Sequence, residues 1–412
     1  MPGSPSNISE RRLPLLTDVL LRIRDGMRRR TKIHSGGRGS IINRTRTKAV
    51  TGVMAVFLLV AVIAFVLWVT SLTHAGGRTI NLHGTLLITA NSNTAYSSFL
   101  YSVNPVTHAM SKIPIDSQGL QSIVEGYNHQ NAWIAPYGIF MDTQNSYVLC
   151  LSLSTGQITK VPIKGNGPVR IISNKMGVFV ISQGNGLIGE LDKSDPKTKQ
   201  VVRSRTLKGM LNAITTGPNG TVYVAGDFIN PGKPRITTAY YAIDGNTLKT
   251  KRLRVSNGPP DSNSLLYWHD RLFVANGSDM SQKGYGTTVT VLDSRTLKPV
   301  THYSVGLVPN EILQLPGAKS ILVLKYYPRS TLPLPYGIRI FPATERLETM
   351  KVPESAGAVV VGNHLWCVTF GGELVEVPLG GAKGTWKTSL PFGLKPGVKW
   401  NGFFPSDIAF MR

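Results

Sequence analysis

TVYVAG at residues 221–226 is followed, after a connection, by AYYAIDGNTLKTK at 239–251; RLFVAN at 271–276 is followed in the same way by TVTVLDSRTLKPV at 288–300. Each unit is a short β-branched and aromatic run, then two more such runs around a turn that starts at Asp244 or Asp293. Aspartate suits a turn start because its carboxylate accepts the turn amides. Runs this short, bounded by Gly, Pro and Asn, read as strands and not as helical repeats.

Working outward, the first run (strand B) recurs as TLLITA (85–90), AWIAPY (132–137), GVFVIS (177–182), SILVLK (320–325) and HLWCVT (364–369). The hairpin (strands C and D) recurs with turns expected to start at Asn104, Ser152, Asp192, Pro342 and Pro378, a mean spacing of about 46 residues. A further run (strand A) precedes strand B in each unit, as in PVRII (168–172), GMLNAI (209–214) and PNEIL (309–313). Four antiparallel strands repeated seven times predict an all-β, seven-bladed propeller, in which stacked sheets cover one another and leave only short outer edges. The run FPSDIAF (404–410) is a strand A with no unit after it. Placed beside TLLITA, it completes the first blade and closes the ring from both ends of the repeat region.

The order of a strand ending near Val-Ala/Asn, a strand ending Val-x-Asp or Ile-Asp and a Thr-x-Lys turn, carried by TVYVAG with AIDGNTLK and RLFVAN with VLDSRTLK, resembles the YVTN-type propeller repeats. The resemblance is good over residues 210–305 and implies a propeller; it implies no activity.

Upstream, residues 49–69 read AVTGVMAVFLLVAVIAFVLWV, and no charged residue occurs from Ala49 to Gly77. At about 1.5 Å per residue this run matches the hydrocarbon thickness of a bilayer. Residues 1–48 carry 12 Lys/Arg against 3 Asp/Glu. The positive-inside rule therefore predicts a basic cytoplasmic tail (1–48), a transmembrane signal-anchor helix (49–69), a linker (70–83) and an extracytoplasmic propeller (84–412). In the tail, Leu16, Val19, Leu20, Ile23 and Met27 fall at helical spacing among arginines, a pattern suited to an anionic lipid surface.

Composition narrows the function. The 412 residues carry a formal charge of +23, and two cysteines exclude a disulfide scaffold and a cysteine-based zinc module. Cys150 and Cys367 fall in blades two and seven, which are not adjacent, and are expected as two buried free thiols. No G-x-S-x-G or H-E-x-x-H occurs. His83, His129, His269 and His364 sit at A–B turns, but no acidic partner is fixed beside them by spacing, and neither a metal nor a cofactor is expected.

In a propeller the B–C and D–A connections share one face. Several are long here and add Phe228, Lys233, Arg235, Tyr285, Tyr326, Tyr327 and Arg329, while the connection after blade seven adds Trp400. These eight are the candidate ligand-binding residues, through stacking and charge. The expected role is a binding or scaffold module for a protein or an anionic envelope polymer, without nucleic acid. The alternative is a lactonase-like propeller hydrolase or lyase whose site lies on the same face.

Overall fold

A computed structural model describes residues 80–412 apart from 93–97, 140–142, 185–187, 230–235, 257–261, 278–286, 307, 318, 326–335, 354, 370, 381–384 and 391–402. The expected tail and transmembrane helix lie outside the described residues. No helix among the described residues is long and apolar enough to cross a membrane.

Seven four-stranded antiparallel sheets form the propeller, within a unit running from Gly77 to Arg412. Blade four is representative: strand A (Met210–Thr216), B (Thr221–Ile229), C (Ile236–Asp244) and D (Thr250–Ser256) pair in that order. Strand B is buried throughout in blade two (Asn131–Pro136) and blade three (Gly177–Ser182), because a neighbouring sheet covers each face. This is why the B strands read as continuous apolar runs without alternation. Outer strands such as Gln200–Lys208 and Thr250–Ser256 are largely exposed, which matches their charge. The core is a set of inter-blade wedges. Phe179, Ile181 and Leu191 of blade three meet Leu211, Val224 and Tyr241 of blade four, and the Tyr241 hydroxyl donates to the Lys208 carbonyl at 2.8 Å.

The C–D turns behave as expected at three of the Asn and Asp positions. Asn104 accepts the Val106 and Thr107 amides, both at 2.9 Å; Asp244 accepts Asn246 and Thr247; Asp293 accepts Thr296. Four residues on, His108, Leu248 and Leu297 adopt positive φ, and burial of the two leucines offsets that strain. Blade three departs from expectation. Asp192 does not start the turn: it lies inside strand C (Ile188–Asp195), fully buried, accepting the Gly165 amide at 3.0 Å and the Ser204 hydroxyl. Asp195 starts the turn, accepting the Lys197 amide at 2.7 Å, with Lys199 in the left-handed region. Polar GELDKSD extends as strand with its two buried carboxylates held, Asp192 by the Gly165 amide and Ser204 hydroxyl and Glu190 by the Thr206 hydroxyl.

Ring closure follows the expectation. Phe403–Met411 pairs antiparallel with Thr85–Ser92, from Thr85↔Met411 to Ser92↔Phe403. Asn91 then joins blade one to blade two, donating to the Leu120 carbonyl and accepting the Leu120 amide, both at 2.7 Å. Met411 is buried between these blades beside Leu82, whose amide donates to the Leu153 carbonyl. Deleting residues 404–412 from the propeller strips this ladder and exposes the edge of Thr85–Ser92. Urea titration should show a loss above about 4 kcal/mol, or aggregation. An unchanged midpoint would refute the closure.

Candidate functional site: the central channel

The A strands ring the axis, and in six of the seven a bulge inserts one extra residue against strand B. The pairing jumps between Leu120/Ser122, Pro168/Arg170, Leu211/Ala213, Ser262/Ser264 and Pro309/Glu311, and between Pro405 and Asp407 in blade one. A bulge re-aims the side chain that follows it. Ser122, Arg170, Ala213, Ser264, Glu311 and Asp407 therefore occupy one level, and all six line a cavity of about 190 Å³ on the axis.

Three of these side chains make the same contact with the next blade. Asp407 Oδ2 accepts the Ile123 amide at 2.9 Å, Ser264 Oγ accepts Ile312 at 3.3 Å, and Glu311 Oε2 accepts Ala358 at 3.0 Å. Each amide belongs to the equivalent position of the following A strand. Blade seven has no post-bulge side chain at this level because a Cβ on Gly357 would come within 2.8 Å of the Asp407 Cα.

Electrostatics sets the protonation. Burial is the main cause raising both carboxyls; Glu311 is pushed up to about 8, with the Asp407 charge adding and Arg170 opposing. Asp407 is held down in part by Arg170, by the Ile123 and Ile408 amides and by the Ser122 hydroxyl, yet stays above the usual range. Carboxyls raised by desolvation in a shared cleft have the character of ligand-binding or proton-exchanging groups.

The histidines go elsewhere. His83 Nδ1 lies 2.8 Å from the Arg412 carbonyl, and His129 Nδ1 lies 3.0 Å from Glu125. His364 faces Glu376, which also faces His108, itself stacked on Trp386. Trp268 lies edge-on to His269. No group of three potential ligands that could hold a metal ion occurs among the described residues. Cys150 and Cys367 are buried and unbonded, and burial pushes both thiols up, Cys150 to about 11. Of the eight candidate ligand residues, Phe228 has a described backbone, paired with Thr237. Its side chain and Lys233, Arg235, Tyr285, Tyr326, Tyr327, Arg329 and Trp400 lie outside the described residues.

Sequence reading missed the channel triad of Arg170, Glu311 and Asp407. A signal was present: Pro168-Val169-Arg170, Pro309-Asn310-Glu311 and Pro405-Ser406-Asp407 each place a charge two residues after a proline at the start of an A strand.

A raised carboxyl binds its proton more tightly folded than unfolded, so the stability that proton supplies is lost as pH rises from about 5 through the folded value. Glu311→Gln keeps an acceptor for the Ala358 amide and removes the charge. Wild-type stability should fall by on the order of 2 kcal/mol more than the variant's between pH 6 and 9 in urea titrations. Parallel profiles would refute the assignment.

Comparisons with known proteins reach the fold. No family model matches the chain, and no curated protein matches it. Among solved structures, a functionally unknown protein from Desulfotomaculum acetoxidans DSM 771 is similar at TM-score 0.54 and 10% identity, over 72% of this chain and 93% of that one. A chain of the mitotic checkpoint complex is similar at TM-score 0.52 and 11% identity, over 66% and 78%. Kuenenia stuttgartiensis hydrazine synthase is similar at 0.51 and 14%, over 65% and 78%. At such identities the likeness establishes the propeller fold and nothing finer.

Proposed function

We propose that this chain is a single-pass, membrane-anchored propeller that works outside the membrane as a binding module, presenting its B–C and D–A connections to an anionic envelope polymer. The observation that carries this reading is topological. The seven antiparallel blades send every B–C connection out of the same end of the ring, so the basic and aromatic residues of blades four, five and six belong to adjacent connections. In blade four the B–C ladder runs on to Ile229↔Ile236, and Lys233 and Arg235 fall between these two residues in the sequence.

Charge supports the same partner. Arg203, Arg205, Lys208 and Arg252 are exposed on the outer strands of blades three and four, and none has a carboxylate within 4.0 Å among the described residues. Unneutralised guanidinium groups favour a polyanion through screened attraction and bidentate hydrogen bonding. The anchor rests on the apolar run 49–69 and its basic flank. A protein partner on the same face is the other occupant that these connections suit.

Two experiments test this. Protease added to right-side-out spheroplasts should degrade residues 78–412 and spare the tail; the reverse pattern would invert the topology. On purified anionic envelope polymer, replacing Lys233, Arg235 and Arg329 by alanine should weaken retention about tenfold at low salt and flatten its salt dependence. Replacing Tyr326 and Tyr327 should weaken retention at every salt concentration, because apolar contact is not screened. Unchanged retention in both sets would remove this face from consideration.

A further inference from the structure

The three charged groups that line the channel among the described residues differ in how far their hydrogen-bonding capacity is used. Asp407 has both oxygens engaged: the Ile123 amide reaches Oδ2 and the Ile408 amide reaches Oδ1, at 2.9 Å each. Glu311 spends Oε2 on the Ala358 amide, and Oε1 has no partner among the described residues. Arg170, with five N–H donors, makes one long contact of 3.5 Å to the Asn263 carbonyl. It has no carboxylate within 4.0 Å among the described residues, although both carboxylates line the same cavity. The fold thus holds a free cationic donor and a free acid on one cavity wall without letting them neutralise each other.

Such an arrangement selects among ligands. A simple anion on Arg170 lies near Asp407 and leaves Glu311 unused, and a simple cation on Glu311 lies in the field of Arg170. A molecule carrying both charges meets a complement at each end. The cavity of about 190 Å³ holds several waters and has room for a compact molecule of a few carbons.

We infer that the central channel is a binding site for a small zwitterion, a free amino acid of two to four carbons, whose carboxylate seats on Arg170 and whose ammonium seats on Glu311.

Protonation gives the site a signature. With the channel empty, burial keeps the Glu311 carboxyl protonated near neutral pH. An ammonium beside it favours the carboxylate, so binding expels a proton and tightens as pH rises from 6 to 8. Among the described residues, the groups facing Glu311 are Asp407 of blade one, Arg170 of blade three and the Cys367 thiol of blade seven, with neutral Asn263 and Ser264 from blade five. The site does not depend on what the B–C face binds.

The test is calorimetric titration of the full-length protein in detergent micelles with glycine, β-alanine, γ-aminobutyrate, acetate and methylamine. It is run at pH 6, 7 and 8 in two buffers of different ionisation heat. At least one amino acid should bind about tenfold more tightly than acetate or methylamine, with a buffer-dependent heat that reports proton release. Glu311→Gln should weaken that binding about tenfold and abolish the buffer dependence, and Arg170→Gln should weaken it comparably. A thermal melt checks that each variant is folded. If one is not, the ranking of the five probes and the buffer dependence on the unaltered protein decide alone. Acetate binding as well as the amino acids, or no probe binding, would overturn the proposal, as would amino-acid binding unaffected by Glu311→Gln.

Discussion

A stack of antiparallel sheets has two open ends, and this molecule removes them by pairing Phe403–Met411 with Thr85–Ser92. Strand B of blade one is thereby covered on its inner side by a segment from the far end of the repeat region. The neighbouring contacts depend on that pairing. The Arg412 amide reaches Glu125 of blade two, His83 meets the Arg412 carbonyl, and Met411 fills the wedge next to Leu82. Remove the pairing and blade one is a three-stranded sheet with an unpaired backbone row facing the axis.

The same segment supplies one of the charged groups that line the channel. Asp407 reaches the channel because a bulge displaces Ser406, and its carboxylate then accepts the amide of the next blade. Glu311 and Ser264 repeat that contact at two other blade junctions. Side-chain oxygens thus take over amides on the unpaired edge of the inner strands, as any buried backbone donor requires. The geometry that locks blades together also lodges carboxyls where solvent is scarce, which is why their affinity for protons is high.

Much of the fold was legible in the sequence, because the B strands and the C–D hairpins have simple signatures. Strand B is sandwiched between sheets, so AWIAPY and GVFVIS are apolar throughout; the turns of blades one, four and five need an oxygen at their first position, and Asn104, Asp244 and Asp293 supply it. Blade three misled because two aspartates, 192 and 195, compete for the turn, and the choice rests on partners elsewhere in the chain, Gly165 of the preceding connection and Ser204 of strand D. The channel was harder to read. Its polar level is assembled from single residues of five separate blades, the hydroxyls of Ser122 and Ser264, the Arg170 guanidinium and the carboxyls of Glu311 and Asp407, so no local motif announces it. The recurrence of Pro-x-charge in blades one, three and six becomes visible only after the A strands are aligned on their bulges.

The closing pair also dictates an order of assembly. The other six blades are built from contacts within a single repeat, but His83 and Arg412 meet across 329 positions of chain. Loop-closure entropy and search time both place such a contact after the local ones. An intermediate with six finished blades and an open gap is therefore built into this topology. In it the strand Thr85–Ser92 waits as a template, and the bulge at Thr89/Ala90, opposite Pro405, acts as the key that fixes which register the arriving segment takes. The sequence around Pro405 accordingly carries the instruction for finishing the molecule as well as one wall of its channel.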